Sequence, residues 1–172
     1  KNKKHVAIYR NSWFTKCRQI NFIQNINQKA DVDCQLSMNK KLQTDILEER
    51  YGIIHSKVLT HTKDKREVLL LDQKGIVREY AFTFFPEVDN RLSVINRKIR
   101  RGGLIGKTFR DNGYDIIKRK KKNFIIELPV WLKKEFSTDE RSAQASMYEF
   151  CVRKEAGSLK TYGFIFEIYN PK

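Results

Sequence analysis

The chain has 172 residues, 40% of them hydrophobic and 12% aromatic, enough to build a packed core in a single domain spanning 1–172, with 1–34 its least defined part. It carries 35 Lys and Arg against 20 Asp and Glu, and the net charge of +15 draws polyanions and small dianionic substrates alike. No apolar run approaches the roughly 18 residues that a membrane span requires, and no apolar segment of a secretory signal follows the basic start Lys1-Asn2-Lys3-Lys4.

Between Arg10 and Asn27, Trp13, Phe14, Cys17, Ile20, Ile23 and Ile26 form an imperfect helical stripe, and Asn25 to Asp33 reads as loop. Ser37 is a good N-cap for a helix running to about Arg50, with Met38, Leu42 and Ile46 repeating every four residues and Gly52 closing it. Ile53 to Thr60 is a predicted strand. Arg66 to Pro86 then reads as a long hairpin, its apolar runs flanking Asp72-Gln73-Lys74-Gly75, a polar turn that ends in Gly. Alternation puts Arg66 on one face with Val68 and Leu70. An Arg at the start of such a face is either a strand cap reaching for water or an anion clamp.

Past Pro86, Val88, Leu92, Ile95 and Ile99 mark an amphipathic helix. The segment Gly102-Gly103-Leu104-Ile105-Gly106-Lys107-Thr108 has some look of a phosphate-binding loop. It is one residue short, and it follows a helix where that motif follows a strand. Asp111-Asn112-Gly113 is a turn signal. Tyr114 to Arg119 and Phe124 to Leu128 are predicted strands joined by Lys120 to Asn123, Val130 to Phe136 a short helix, and Ser137 to Ala145 a loop. In Met147 to Arg153, Tyr148, Phe150 and Val152 alternate with Glu149, Cys151 and Arg153; in Tyr162 to Asn170, Phe164, Phe166 and Ile168 alternate with Ile165, Glu167 and Tyr169. Hairpin-linked strands with amphipathic helices between them predict an α+β domain, a single antiparallel sheet flanked by helices. Cys17, Cys34 and Cys151 are odd in number and far apart, which fits a reducing compartment. With His5, His55 and His61 they show no metal-ligand spacing, so no metal is expected.

Four patterns, in this order and spacing, resemble the chorismate lyase family. Ser37-Met38-Asn39-Lys40-Lys41-Leu42 resembles the start of that family's early helix. Arg66-Glu67-Val68-Leu69-Leu70 resembles its Arg-Glu-apolar strand, followed by the hairpin and Pro86. Leu104-Ile105-Gly106-Lys107 resembles its Pro-Leu-Gly-Arg turn. Phe166-Glu167-Ile168-Tyr169-Asn170-Pro171 is similar to its closing strand, nearest the cyanobacterial and plastid branch. The resemblance covers about Gln35 to Pro171. It implies a sheet whose helices enclose a ligand cavity, and cleavage of chorismate to 4-hydroxybenzoate and pyruvate for quinone or other aromatic biosynthesis. No cofactor is implied, and the chain would act as a monomer in the plastid or cytoplasm. Arg66 would bind the ring carboxylate with the backbone N–H groups of Met38 and Ile105. Glu167 would face the oxygen that becomes the product hydroxyl. Two arginines of the proteobacterial members fall here at Phe82 and Ser146.

These residue types suit that reaction. A guanidinium grips a carboxylate with two parallel bonds and so fixes the ring's orientation. Loss of pyruvate with aromatisation of the ring needs orientation and a proton partner more than a nucleophile. A Glu on a buried strand, with its pKa raised by desolvation, would deliver or share that proton. Two other readings stand beside this one. The first is a ligand-sensing domain of the same fold without the chemistry. The second is a nucleic-acid-binding protein, based on Arg97 to Arg101 and Lys118 to Lys122. Those runs lack interleaved aromatics and read as solvated faces, so specific nucleic-acid binding is not expected.

Overall fold

A computed structural model describes residues 41–86 and 90–172. Helix α1 (Gln43–Tyr51) leads into three strands, β1 (His55–His61), β2 (Lys65–Leu71) and β3 (Val77–Phe84). A 3₁₀ turn (Asn90–Leu92) and two helices follow, α2 (Ser93–Arg100) and α3 (Ile105–Arg110). The chain then forms β4 (Tyr114–Glu127), α4 (Val130–Phe136), β5 (Ser142–Lys154) and β6 (Lys160–Tyr169). The strands make one six-stranded antiparallel sheet in the order β1-β2-β3-β6-β5-β4, so the described part of the chain is α+β. No described helix is long and apolar enough to cross a membrane.

The β2–β3 hairpin turns where the sequence places it. Asp72 Oδ1 accepts hydrogen bonds from the backbone N–H groups of Lys74 (2.8 Å) and Ile76 (3.0 Å), Gly75 takes a φ of 77°, and Arg78 pairs with Asp72 at 2.8 Å. The carboxylate thus replaces backbone partners that a tight turn cannot supply. Three boundaries differ from the sequence reading. Helix α1 starts at Gln43, after Leu42, whose N–H donates to Asp45 Oδ2 (2.9 Å); Leu47, not Ile46, is the buried apolar residue of its last turns. Lys120 to Asn123 is no connection: β4 is a single strand of 14 residues, bulged between Arg119 and Lys122, with Lys120 at a φ of 54°. An extra residue in an edge strand is absorbed by the bulge, and the lysines there keep the free edge charged. The loop expected from Ser137 to Ala145 is strand from Ser142, because β4 supplies a partner for these residues across the sheet. The expected helix from Arg10, the Ser37 cap and Val88 lie outside the described residues.

Period-two alternation divides the sheet into two unlike faces. One is mainly apolar: Leu69, Phe82, Phe164, Phe166 and Ile168 pack beneath Leu132 and Phe136 of α4. The other face carries two separate apolar clusters. Ile95 and Ile99 of α2 and Phe109 of α3 cover Phe150, Tyr162 and Ile165, while Leu47 of α1 covers Val68 and Leu70. Polar side chains occupy the ground between these two clusters, and there the helices arch over an internal cavity.

Ile168 is fully buried in the apolar face whereas Val94 on α2 is 58% exposed. Truncating Ile168 to Ala is expected to destabilise the fold by about 2–5 kcal/mol and Val94→Ala by no more than about 0.5 kcal/mol, read from urea denaturation midpoints.

Candidate functional site

The cavity encloses about 70 Å³ and is lined from five strands and two helices; Arg66, Glu79, Ile105, Lys118, Tyr148 and Glu167 carry its chemistry. Register explains their convergence. Arg66 on β2 stands opposite Thr83 on β3, Thr83 stands opposite Ile165 on β6, and Glu167 lies two residues further along. Two strand spacings of about 4.8 Å and two residue rises of about 3.3 Å separate the Arg66 and Glu167 backbones by roughly 12 Å. Both side chains project from the same face into the same space.

At one end, Arg66 is only 2% exposed. Its Nη2 donates to the carbonyl of Gly103 (3.0 Å), its Nε is buried without a partner, and no carboxylate among the described residues pairs with it. Burial pulls its pKa down to about 10. A guanidinium removed from water with one neutral carbonyl as partner carries a desolvation cost that the carbonyl offsets only in part. The Gly103 carbonyl comes close because residue 103 has no side chain: a Cβ there would lie 2.9 Å from both the Lys98 carbonyl and Thr108 Oγ1. Ile105, at the start of α3, lines the same end. His61, opposite Arg66 on β1, has its pKa lowered by burial first and then by the charges of Arg66 and Arg100. This end is electropositive.

At the other end, Glu167 is 5% exposed; Tyr148 donates to its Oε1 (2.5 Å), and its Oε2 lies 3.1 Å from the Ser146 hydroxyl and 2.9 Å from that of Tyr169, which are hydrogen-bonded to each other. Burial, and then the charge of Glu167, push the phenols of Tyr148 and Tyr169 well above the ordinary range. Lys118 Nζ sits 4.4 Å from the centre of the Tyr148 ring. Glu79 lies beside this group on β3, diagonal to Glu167, and is 1% exposed. Burial, and then the nearby charge of Glu167, hold its pKa well above the ordinary carboxyl range, against the opposing pull of Lys118, a Gln43 hydrogen bond and Lys121.

Of the residues singled out in the sequence, the structure brings Arg66, Ile105 and Glu167 to one cavity, and Met38 lies outside the described residues. Arg66 is no strand cap reaching for water. Phe82 points to the opposite, apolar face, so the β3 residue facing Glu167 is Ala81. Ser146 is part of the Glu167 network. Lys118 does not belong with the solvated run: it lines the cavity, whereas Arg119 to Lys122 are exposed. The sequence reading missed Glu79 and Tyr148 as polar cavity groups. Counting register outward from the Asp72–Gly75 turn signals Glu79, since it shares strand parity with Thr83, the partner of Arg66. Among the described residues no group of three or more His, Cys, Asp or Glu is arranged to hold a metal ion. No protein-family model matches the chain, and no curated protein matches it.

A carboxyl whose folded pKa is raised favours the protonated form, so folding pays a penalty that begins as pH climbs through the unfolded value of 4.5 and grows until the folded pKa is passed. Glu79→Gln, which cannot ionise, is therefore expected to be more stable than the wild type at pH 7 and to lose that advantage below about pH 4. Urea midpoints at the two pH values check this; equal midpoints at pH 7 would show that Glu79 is not desolvated as described.

Proposed function

We propose that the chain is a chorismate pyruvate-lyase of the chorismate lyase type, releasing 4-hydroxybenzoate and pyruvate. The observation that carries this reading is the pairing of a buried guanidinium without a carboxylate partner among the described residues at one end of the cavity with a hydroxyl-bound carboxyl group at the other. A ligand that satisfies both ends carries a carboxylate on one side of a small ring and a hydroxyl on the other. Chorismate and 4-hydroxybenzoate both fit that description.

In this reading the Arg66 guanidinium holds the ring carboxylate and fixes the ring's direction. The N–H of Ile105 at the start of α3 adds a donor there. Glu167 meets the hydroxyl-bearing edge of the ring and exchanges a proton there. The proteobacterial members of the family place an arginine near this edge. No β3 arginine reaches the cavity here, and Lys118, entering from β4, supplies the cation for the second carboxylate of chorismate. Apolar Val68, Leu104 and Ile165 face the ring and keep water from the reacting bonds. The chain works without a cofactor in this scheme, since elimination and aromatisation leave every atom's oxidation to the substrate itself.

Incubation with chorismate and detection of 4-hydroxybenzoate tests the reading directly. Ligand binding without turnover would instead favour the sensor of the same fold. Glu167→Gln keeps the shape of the side chain and removes its proton exchange, so it is expected to retain 4-hydroxybenzoate while turning chorismate over at least about a hundredfold more slowly. Arg66→Lys keeps a charge but loses the planar fork, and product affinity should fall by about 1–3 kcal/mol with the fold intact; unchanged affinity by calorimetry would exclude Arg66 from the site.

A further inference from the structure

Two carboxyl groups share the electronegative end of the cavity, and their surroundings are unlike. Glu167 takes the hydrogen bond of Tyr148 at Oε1 and meets the linked hydroxyls of Ser146 and Tyr169 at Oε2. Glu79 is 1% exposed, lines the same cavity, and has Oε2 buried with no hydrogen-bond partner. The two sit on adjacent strands: Glu79 stands opposite Tyr169 and Glu167 opposite Ala81, which places them diagonally on one face. Diagonal neighbours of this kind have side chains roughly 7 Å apart at their bases, within reach of each other and of a ligand between them. Two like charges that close in a dry space do not both persist, so one member of the pair keeps a proton. The environment selects which: Glu79 is buried with Oε2 unpartnered, whereas hydroxyls meet both oxygens of Glu167, so the neutral acid is favoured at Glu79.

We propose that Glu79 is the general acid of the cavity, giving its proton to the oxygen of the departing enolpyruvyl group while Glu167 acts as the base. The assignment rests on the lyase reading and extends it to a second carboxyl. In the step, Glu167 takes the hydrogen from the ring carbon that bears the hydroxyl. The electron pair of that C–H bond becomes a ring π bond as the neighbouring C–O bond to the enolpyruvyl group breaks. The departing oxygen takes the proton of Glu79, and the enol so formed tautomerises to pyruvate. Atoms and charge balance, with Glu167 protonated and Glu79 ionised at the end. Passing one proton back between the two carboxyls restores the starting state. No oxidant or metal enters the balance. The arrangement matches a general rule for acid–base pairs: two titratable groups held in environments that push their proton affinities apart divide the acid and base roles between them.

The groups that face or act on Glu79 are Glu167 and Tyr169 from β6, Tyr148 from β5, Lys118 and Lys121 from β4 and Gln43 from α1. Because the acid must be protonated, kcat should fall as pH rises through the elevated pKa of Glu79. The experiment compares full-length wild type and Glu79→Gln for chorismate turnover across pH, 4-hydroxybenzoate affinity, and the infrared C=O stretch of a protonated carboxylic acid at pH 7. The expected result is a kcat lower by at least about a hundredfold in Glu79→Gln. Its product affinity should stay within a few-fold of wild type, and its residual activity should lack the alkaline limb. The wild-type infrared band should be present at pH 7 and absent from the variant. If Glu79→Gln turns over with the rate and pH profile of the wild type, the acid role is overturned and the lyase reading stands. If the wild type yields no 4-hydroxybenzoate, the lyase reading falls and this assignment with it. If the variant fails to fold, the wild-type infrared spectrum still decides: no protonated carboxyl at pH 7 overturns the proposal.

Discussion

The burial of Arg66 constrains the remainder of the helical face of this protein. A guanidinium withdrawn from water forfeits a solvation energy that, even after relaxation, amounts to several kcal/mol per ion, and one backbone carbonyl, that of Gly103, returns little of it. The surrounding structure accepts this cost in order to keep the group dry. Val68 and Leu70 share its strand face, α3 begins beside it, and the turn before α3 is built on a glycine because any side chain there would collide with the Lys98 carbonyl. The charge also reaches beyond the cavity, lowering the proton affinity of His61 on the neighbouring strand.

The opposite end of the cavity answers that charge with a different device. Glu167 is held by hydroxyls from two strands, and Ser146 and Tyr169 also bond to each other at 2.6 Å. A network of this kind has low tolerance for a missing member, because each buried polar group depends on the others for its partner. It fixes the Glu167 carboxylate in position without a cation directly bonded to it. Glu79 completes the asymmetry, a second carboxyl on the same face whose burial favours its neutral form. Burying ionisable groups at both ends of the cavity costs the fold stability.

That cost is carried by the other face of the sheet. Leu69, Phe166, Ile168 and the α4 residues Leu132 and Phe136 form an apolar layer, with Glu149 buried on the same face opposite Phe164. The two faces share the same strands, and the alternation of side chains along β6 assigns Phe164, Phe166 and Ile168 to the anchor and Ile165 and Glu167 to the site. One strand thereby carries both the stability of the fold and the chemistry proposed for it.

How much of this was legible beforehand follows from the range of the forces involved. The hairpin about Asp72–Gly75, the helix after Pro129 and the alternation of β6 are local consequences of turn chemistry, proline and period-two patterning, and the sequence by itself determined them. Alternation offered Arg66 as either a strand cap or an anion clamp, and Glu167 was singled out by the resemblance of its strand to that of a known family. Other features depended on pairing across long separations. Ser142 to Ala145 reads as loop until β4 lies beside it, and Lys118 reads as one lysine in a basic run until the bulge after Arg119 sends the rest of the run to solvent. Strand parity counted from the Asp72–Gly75 turn puts Glu79 on the Arg66 face, but nothing adjacent in the chain says what covers that face. Only the tertiary structure decided that it lies diagonal to Glu167 under α1, because desolvation and charge coupling are set by what surrounds a group in space and leave no trace in its sequence neighbours.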